Sequence, residues 1–236
     1  MTPKGKNSSV TLPSDIYARR LANKENIKRC YRKERATRTV QALERHGFPA
    51  ILAENAEEAR EQVLKLIPEG ASVGVGGSMT IREIGVLDAL ERDRHDLYDH
   101  WRPGLTQEQV LDIRRAQLTS DVFLTSANAL SSDGQIVCCE AVGNRTSAMT
   151  FGPGKVIVVV GVNKIAKDLH EALQRAKEVA APQALKDTGL AVPCDQTGSC
   201  QDCDSPQRGC RITLILERKP IATDMTVVVV GESLGF

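Results

Sequence analysis

The run KVIVVVG at Lys155–Gly161 constrains the fold more than any other stretch of the sequence. Its five consecutive aliphatic residues cannot alternate between a buried face and a solvent face, so a strand here must be buried on both faces. Strands of that kind occur in parallel sheets that helices cover. Other apolar strands alternate along the chain with segments of helical spacing. We therefore predict an α/β fold with an open, mostly parallel sheet and helices on both faces.

The predicted elements fill a single domain from residue 14 to residue 236. Strands are predicted at residues 50–53, 71–75, 121–125, 135–138, 155–161, 212–216 and 226–231, and helices at residues 15–32, 34–46, 55–67, 79–90, 106–118 and 163–179. Residues 1–13 are polar and are predicted to be disordered. The helices of residues 14–46 precede the sheet. Residues 188–211, rich in Cys, Gly, Pro and Asp, are expected to form an irregular insertion, the cysteine loop.

Composition and charge restrict the class of function. Aromatic residues make up 3% of the 236 residues, so stacking platforms for single-stranded nucleic acid are not expected. Residues 1–45 carry twelve Lys or Arg and four Asp or Glu. That charge could contact an acidic partner or nucleic acid, but a solvated pair of helices is the simpler interpretation. With no apolar stretch of membrane-spanning length and no signal peptide, we expect a cytoplasmic protein that does not associate with membranes.

The sequence VGVGGSMT, residues 73–80, forms a Gly-rich loop where a predicted buried strand turns into a helix. Gly76 and Gly77 let backbone N–H groups approach a ligand, and Ser78 is placed to cap the helix. A helix N-terminus attracts phosphate or carboxylate. The spacing matches neither the dinucleotide fingerprint nor the Walker loop. We predict that Gly76, Gly77 and Ser78 bind a small anion, and a tight turn without a ligand is the alternative.

A second polar cluster follows two predicted strands. Asn128 lies just beyond one strand, while Glu140, Asn144 and Arg145 lie at the end of the next. Ligand sites in open α/β sheets gather at such strand ends. Arg145 is suited to a bidentate pair with a substrate anion, Glu140 to proton transfer or nucleophilic attack, and both Asn side chains to orienting a substrate. The alternative is that Glu140 and Arg145 only pair with each other.

Four of the seven cysteines, Cys194, Cys200, Cys203 and Cys210, lie in the cysteine loop with the spacing C-x5-C-x2-C-x6-C. Clustered thiols in a reducing compartment indicate a metal site, because thiolates repel one another until a metal binds them. Zinc and iron–sulfur clusters both accept four thiolates. The presence of a single C-x2-C unit favours [4Fe–4S] over zinc, and reduced or redox-active thiols without a metal are the third alternative.

The stretches VGVGGSMTIREIGVLDAL, TSANALSSDGQIV and GNRTSAMTFGPGKVIVVVGVNKI together resemble the LUD-domain family, often described as lactate-utilization proteins. The cysteine loop and the ending TVVVVGESLGF resemble a subgroup of small, stand-alone members. The resemblance implies a fold like that of sugar-phosphate isomerases, CoA transferases and 5-formyltetrahydrofolate cyclo-ligase.

Several residues can be carried over from the family's motifs. Gly76, Gly77 and Ser78 match its Gly-Ser loop, Asn128 its Asn-Ala-Leu segment, and residues 143–145 its Gly-Asn-Arg motif. Many relatives have Asp-Gly-Thr before Gly-Asn-Arg, where this chain has Glu140, Ala141 and Val142. The carboxylate is kept, but the local turn differs. The family's lactate label belongs to a system of several subunits.

These observations predict an enzyme that acts on a small anionic metabolite and carries a four-cysteine iron–sulfur site. Its class would be lyase or hydratase, transferase or oxidoreductase subunit. One alternative is an electron-transfer subunit of a lactate-oxidising complex, with a redox protein as partner. Another is a zinc-stabilised binding module without catalysis. A homo-oligomer is compatible with each of them, and nucleic acid is not an expected partner.

Overall fold

The structure, a computed structural model, describes residues 15–186 and 188–236. The prediction of disorder for residues 1–13 lies outside the described residues. In chain order, the α-helices are α1 (Ile16–Ala22), α2 (Lys24–Arg45), α3 (Ala56–Lys65), α4 (Met79–Glu83), α5 (Val86–Arg92), α6 (Gln107–Ala116), α7 (Asn144–Thr150), α8 (Leu169–Arg175), α9 (Ala181–Leu185) and α10 (Pro193–Thr197). The strands are β1 (Ala50–Ala53), β2 (Val73–Val75), β3 (Leu97–Asp99), β4 (Val122–Thr125), β5 (Ala129–Ser131), β6 (Ile136–Glu140), β7 (Lys155–Gly161), β8 (Ile165–Ala166), β9 (Ile212–Leu216) and β10 (Asp224–Val230).

A parallel sheet of six strands, in the order β1-β10-β7-β4-β2-β3, forms the centre of the described chain. Strand β7 pairs with β10 on one side and β4 on the other, so its backbone groups are satisfied on both edges. Its side chains alternate between two separate cores. Val156, Val158 and Val160 pack on one side, and Ile157 and Val159 on the other. The predicted fold class and the double burial of β7 are confirmed.

Different elements cover the two faces of the parallel sheet. Helices α3, α4 and α5 contribute Val63, Ile81 and Leu90 to one core. Helices α2 and α7 contribute Leu43 and Met149 to the other, where a second sheet also packs. That second sheet has the order β8-β5-β6-β9 and is partly antiparallel. It was not predicted from the sequence, because two of its strands are only two and three residues long.

Several helices begin or end at other residues than predicted, because individual residues break, continue or cap them. The first two helices separate at Asn23, whereas residues 32–35 continue α2 because Arg, Lys and Glu are good helix formers. The single helix predicted for residues 79–90 is broken at Gly85, which adopts a φ of +68°. The helix predicted from residue 163 begins only after Asp168, whose side chain accepts a hydrogen bond from the Glu171 N–H at 2.9 Å.

The N-terminal helices lie mostly in solvent. Helix α1 buries no side chain, and Ala36 is the first buried residue of α2. Within the described residues, no helix combines the length and the apolar character needed to cross a bilayer.

The turn between β5 and β6 packs directly on α2, and Gly134 makes that contact possible. Its φ is +99°, and a Cβ atom there would lie 2.7 Å from the carbonyl carbon and oxygen of Ala42. Gly70 has a similar φ of +72°, but a Cβ atom there would meet nothing within 4 Å. Replacing Gly70 would therefore cost only backbone strain, whereas replacing Gly134 would cost backbone strain and a steric clash with α2.

We expect Gly70→Ala to lower the free energy of unfolding by about 1 kcal/mol, from the left-handed backbone alone. Gly134→Ala should lower it by about 2 to 4 kcal/mol, because strain and overpacking against α2 add. Urea denaturation of both variants measures the difference. Equal losses would contradict the packing of the turn on α2.

Candidate functional site

A cleft of about 510 Å³ lies beside the carboxyl ends of the adjacent strands β2, β4 and β7. Its lining brings together most of the site residues predicted from the sequence, namely Gly77, Ser78, Asn128, Glu140, Asn144 and Arg145. Gly76 and the four cysteines of the cysteine loop are not part of the lining. The strand-end rule therefore located the cleft, although the sequence alone did not show how each side chain is used.

The Gly-rich loop is occupied largely by contacts within the protein. The Gly76 N–H donates to the Leu124 carbonyl at 2.9 Å. Gly77 faces the indole of Trp101, and a Cβ atom there would lie 2.8 Å from the ring. The Ser78 hydroxyl oxygen accepts a hydrogen bond from the Ile81 N–H at 3.3 Å, as a helix cap. Close packing and capping thus account for these residues, and their binding of an anion stays a prediction.

Trp101 is itself held at the mouth of the cleft. The Arg82 guanidinium lies 4.7 Å from the centroid of the indole, in a cation–π contact. The same guanidinium donates to both carboxylate oxygens of Asp99, at 3.0 and 2.9 Å. Both hydrogen bonds come from Nη2, and together with the cation–π contact they hold the indole in the wall of the cleft.

Glu140 and Arg145 form a largely buried pair, each side chain with 12% of its surface exposed. Glu140 Oε2 lies 3.4 Å from Arg145 Nε. Glu140 Oε1 accepts hydrogen bonds from the Thr146 N–H at 2.8 Å and from the Thr146 hydroxyl at 2.7 Å. Gly143, with a φ of +98°, makes the turn that returns Thr146 to the carboxylate. These bonds fix the orientation of the carboxylate and leave it in the lining of the cleft.

Most of the Arg145 guanidinium is satisfied by the protein. Nη2 donates to Asn128 Oδ1 at 2.9 Å and to the Cys139 carbonyl at 2.8 Å, and Nη1 donates to the Ser126 carbonyl at 3.4 Å. Asn128 Oδ1 also accepts the Cys139 N–H at 2.8 Å. Asn128 therefore positions Arg145 and the end of β6, in addition to any contact with a ligand.

A buried glutamine, Gln117, organises the wall near His100. Its amide nitrogen lies 2.8 Å from the Val75 carbonyl, 2.8 Å from the Tyr98 carbonyl and 2.9 Å from His100 Nδ1. The amide nitrogen has two hydrogens for these three neighbours, and His100 also hydrogen-bonds the Val75 carbonyl, so Gln117, His100 and the two carbonyls form one shared network. Burial, and then the charge of Arg114, lower the pKa of His100. The neutral form of His100 is therefore favoured.

Asn144 is tied to the same glutamine. Its Nδ2 donates to Gln117 Oε1 at 3.1 Å, which fixes the start of α7 against the segment that follows α6. If Asn144 orients a substrate, as predicted, it does so through Oδ1 and the second hydrogen of Nδ2.

Lys164 is a cleft residue that the sequence analysis missed. It ends the 3-10 turn after β7 and has only 4% of its surface exposed. Its Nζ donates to the hydroxyl oxygens of Thr80 at 2.8 Å and Ser126 at 3.1 Å. Among the described residues it forms no ion pair with a carboxylate. Burial, followed by the charges of Arg175 and Arg145, lowers the pKa of Lys164 to about 7.

Arg114 is a second missed residue. It lies on α6, lines the cleft, and its Nε is buried without a hydrogen-bond partner in residues 15–186 and 188–236. Burial is the main cause that lowers the pKa of Arg114, and the charge of Glu140 opposes the shift. An unpaired buried donor of a cation costs free energy unless a ligand satisfies it.

A sequence signal could have found Lys164, but not Arg114 or His100. Lys164 follows the most apolar strand of the chain by three residues, so the strand-end rule that selected Glu140 could also have selected it. Arg114 and His100 belong to a helix and a loop packed on the site from outside, and no local pattern marks them.

The cysteine loop forms one wall of the cleft. Its residues Pro206, Gln207, Arg208 and Gly209 belong to the lining. Arg208 donates from Nη1 to the Cys203 carbonyl at 2.8 Å and from Nε to the Cys210 carbonyl at 3.1 Å. A conformational change at the cysteines would therefore reach the cleft through Arg208.

The four thiols predicted as metal ligands line one small cavity beside Arg208. Burial raises the pKa of the Cys194 thiol, and so do the other three cysteines, which lie near enough to act on it. The donor set suits a four-thiolate metal site. In the part of the chain that the structure describes, however, no three His, Cys, Asp or Glu side chains adopt an arrangement that would hold a metal ion. The metal site stays a prediction.

Cys138 and Cys139 are both buried, on opposite sides of β6. The Cys138 thiol lies 3.6 Å from the Met149 sulfur in the core, while Cys139 packs with Cys210 and lines the cleft. Cys138 is therefore a core residue, and Cys139 lies between a smaller core and the cleft.

Comparisons with known proteins agree with this architecture. The chain is similar to a DUF162 family protein from Deinococcus radiodurans, with 17% sequence identity and a TM-score of 0.50, over 84% of this chain and 98% of that one. At that identity the similarity shows the fold alone. No curated protein matches. The model of the LUD domain matches residues 36–230, which is most of the chain and includes every lining residue of the cleft except Phe236. The chain belongs to the LUD-domain family.

Proposed function

We propose that the cleft is the active site of a metabolic enzyme that binds a small metabolite through its carboxylate or phosphate group. The observation that carries the proposal is the charge of the lining. The guanidinium groups of Arg114, Arg145 and Arg208 belong to residues that line the cleft, with Glu140 as the carboxylate among them. Cations gathered in a partly buried cleft favour an anionic ligand, because the low dielectric there strengthens their attraction.

The cationic side chains of the cleft differ in how they can bind an anion. Arg145 is held by Asn128, Cys139 and Glu140, so it contributes fixed positive charge more than a free bidentate fork. Arg114 has an unsatisfied buried Nε and is the better anchor for an anion. This assignment shifts the main anion contact from the residue chosen in the sequence analysis to one on α6.

Glu140 is proposed as the group that moves a proton in the reaction. Its Oε1 is occupied by Thr146, and its Oε2 contacts only the edge of Arg145. Oε2 is thus the oxygen that can accept a proton from a bound substrate. The neutral His100 lies on another wall of the same cleft, where its imidazole can hydrogen-bond a bound substrate.

The lactate-utilization association of the family agrees with a small carboxylate as substrate.

Replacing Arg114 tests the anion site. We expect Arg114→Gln to weaken binding of phosphate or lactate by about tenfold to a hundredfold, since a charge-assisted hydrogen bond contributes about 1.5 to 3 kcal/mol. Calorimetric titration measures the affinity. Arg115→Gln is the matched control, because Arg115 is exposed on the same helix and pairs with Asp112. Unchanged affinity in the Arg114 variant would remove the main support for the proposal.

We further propose that Cys194, Cys200, Cys203 and Cys210 bind an iron–sulfur cluster, with zinc as the alternative metal. The thiols share one cavity, and Arg208 lies beside it as a neighbouring positive charge. Such a cluster requires a reducing compartment, in keeping with the cytoplasmic location expected from the sequence. A bound cluster would either stabilise the cleft wall that the cysteine loop forms or carry out redox chemistry.

Protein purified without oxygen should contain about four irons and four sulfides per chain if the cluster is [4Fe–4S]. Cys203→Ser should lose most of both, whereas Cys30→Ser should keep them, because Cys30 is exposed on α2 far along the sequence from the loop. Metal and sulfide analysis, together with a visible spectrum, distinguishes an iron–sulfur cluster from zinc. About one zinc without sulfide would assign the loop a structural metal.

The exposed position of the cysteine loop favours one second function, that of an electron-transfer subunit. A cluster so placed would lie near the surface and also against the cleft. The function predicts a reversible reduction visible by electron paramagnetic resonance and a stable redox partner. A redox-silent cluster would leave the enzyme as the better proposal.

A further inference from the structure

The surroundings of the Lys164 side chain define an unusual amine. Nζ is buried at the cleft and donates to the Thr80 and Ser126 hydroxyl oxygens. Both hydroxyl hydrogens are used elsewhere, since Thr80 Oγ1 donates to the Leu234 carbonyl at 3.4 Å and Ser126 Oγ donates to the Ala127 carbonyl at 3.3 Å. The hydroxyls therefore act as acceptors toward Nζ, which must supply a hydrogen to each.

A neutral amine has two hydrogens, and this arrangement uses both. The third tetrahedral position of Nζ then holds the lone pair, and Lys164 lines the cleft. An ammonium ion would place a third hydrogen there and would need a counter-ion, which the described residues do not provide by an ion pair. The geometry thus suits a nucleophilic amine better than a permanent cation.

We propose that Lys164 is a catalytic residue that forms an imine with an aldehyde or ketone carrying a carboxylate or phosphate group. The inference rests on the proposed function, since the anion site beside Arg114 is what would bring the carbonyl group to Nζ. It narrows the substrate class from small anions in general to anionic carbonyl compounds such as 2-oxo acids.

The step balances without any further reactant. Nζ forms a bond to the carbonyl carbon, and the carbon–oxygen double bond opens to a carbinolamine. The oxygen then leaves as water with the two hydrogens that Nζ carried, and a carbon–nitrogen double bond remains. Neither carbon nor nitrogen is oxidised or reduced in the exchange.

The charges around Nζ support the neutral form. Burial is the main cause that lowers the pKa of Lys164, and Arg175 on α8 and Arg145 on α7 add to it. Glu83 on α4 and Cys138 on β6 act in the opposite direction. An exposed lysine, with a pKa near 10.4, is almost wholly protonated at neutral pH and reacts slowly with carbonyl compounds. With a pKa of about 7, half of Lys164 would be nucleophilic at that pH.

Reductive trapping tests the proposal on the full chain. The protein is incubated with glyoxylate or pyruvate and cyanoborohydride, and the modified peptide is identified by mass spectrometry. We expect about one adduct per chain, at Lys164, with a trapping rate that rises with pH to a plateau near 8. Lys164→Met should abolish that adduct, and methionine is a suitable replacement at a buried site. Lys167→Met is the matched control, because Lys167 is exposed three residues away.

The outcomes separate this inference from the proposed function. Lactate and oxalate carry the anionic group without an aldehyde or ketone, and their binding is followed in parallel by the shift in Tm. Anions that stabilise the protein while no adduct forms at Lys164 would overturn the imine and leave the anion site standing. An adduct spread over exposed lysines, equal in wild type and Lys164→Met, would also overturn it. If neither anion binding nor an adduct is seen, both proposals fail.

Discussion

Strand β7 is buried on both of its faces, and this burial determines where polar chemistry can occur in the molecule. None of the side chains in its interior can reach water, so the parallel sheet contributes functional groups through the segments that follow its strands. The 3-10 turn after β7 supplies Lys164, and the segment after β4 supplies Ser126 and Asn128. The cleft is thus the place where an otherwise aliphatic sheet ends.

A second sheet brings the remaining groups to that edge. Strand β6 runs antiparallel to its neighbours and ends at Glu140, and Gly143 then turns the chain into α7. The Glu140 carboxylate, the Arg145 guanidinium and the Asn128 amide hold one another across that turn. Removing any one of them would leave a buried polar group without its partner, so the three act as one unit.

The sequence was sufficient for five of the six strands of the parallel sheet, because β7 and β10 contain long aliphatic runs and β1, β2 and β4 are short apolar segments. It missed β3, which is three residues long and contains Tyr98 and Asp99. It was not sufficient for β5 and β8, whose pairing depends on contacts with distant segments and not on their own pattern. The cleft residues likewise divide into those that a local pattern predicts and those that only distant contacts bring to the cleft. Glu140, Asn128 and Arg145 follow strands and were predicted, whereas Arg114 and His100 reach the cleft only through the packing of α6 and the segment after β3. Tertiary contacts of that kind leave no local signature.

The contact between Gly77 and Trp101 links two positions that are twenty-four residues apart in the sequence. The absence of a side chain at position 77 creates the space that the indole fills, and a side chain at 77 has no room while the indole stays. Related proteins should therefore show the two positions varying together, with larger residues tolerated at 77 only where a small residue replaces the tryptophan. Such exchanges would move the aromatic wall from one side of the entrance to the other, and they offer the family a simple way to alter which molecules can enter.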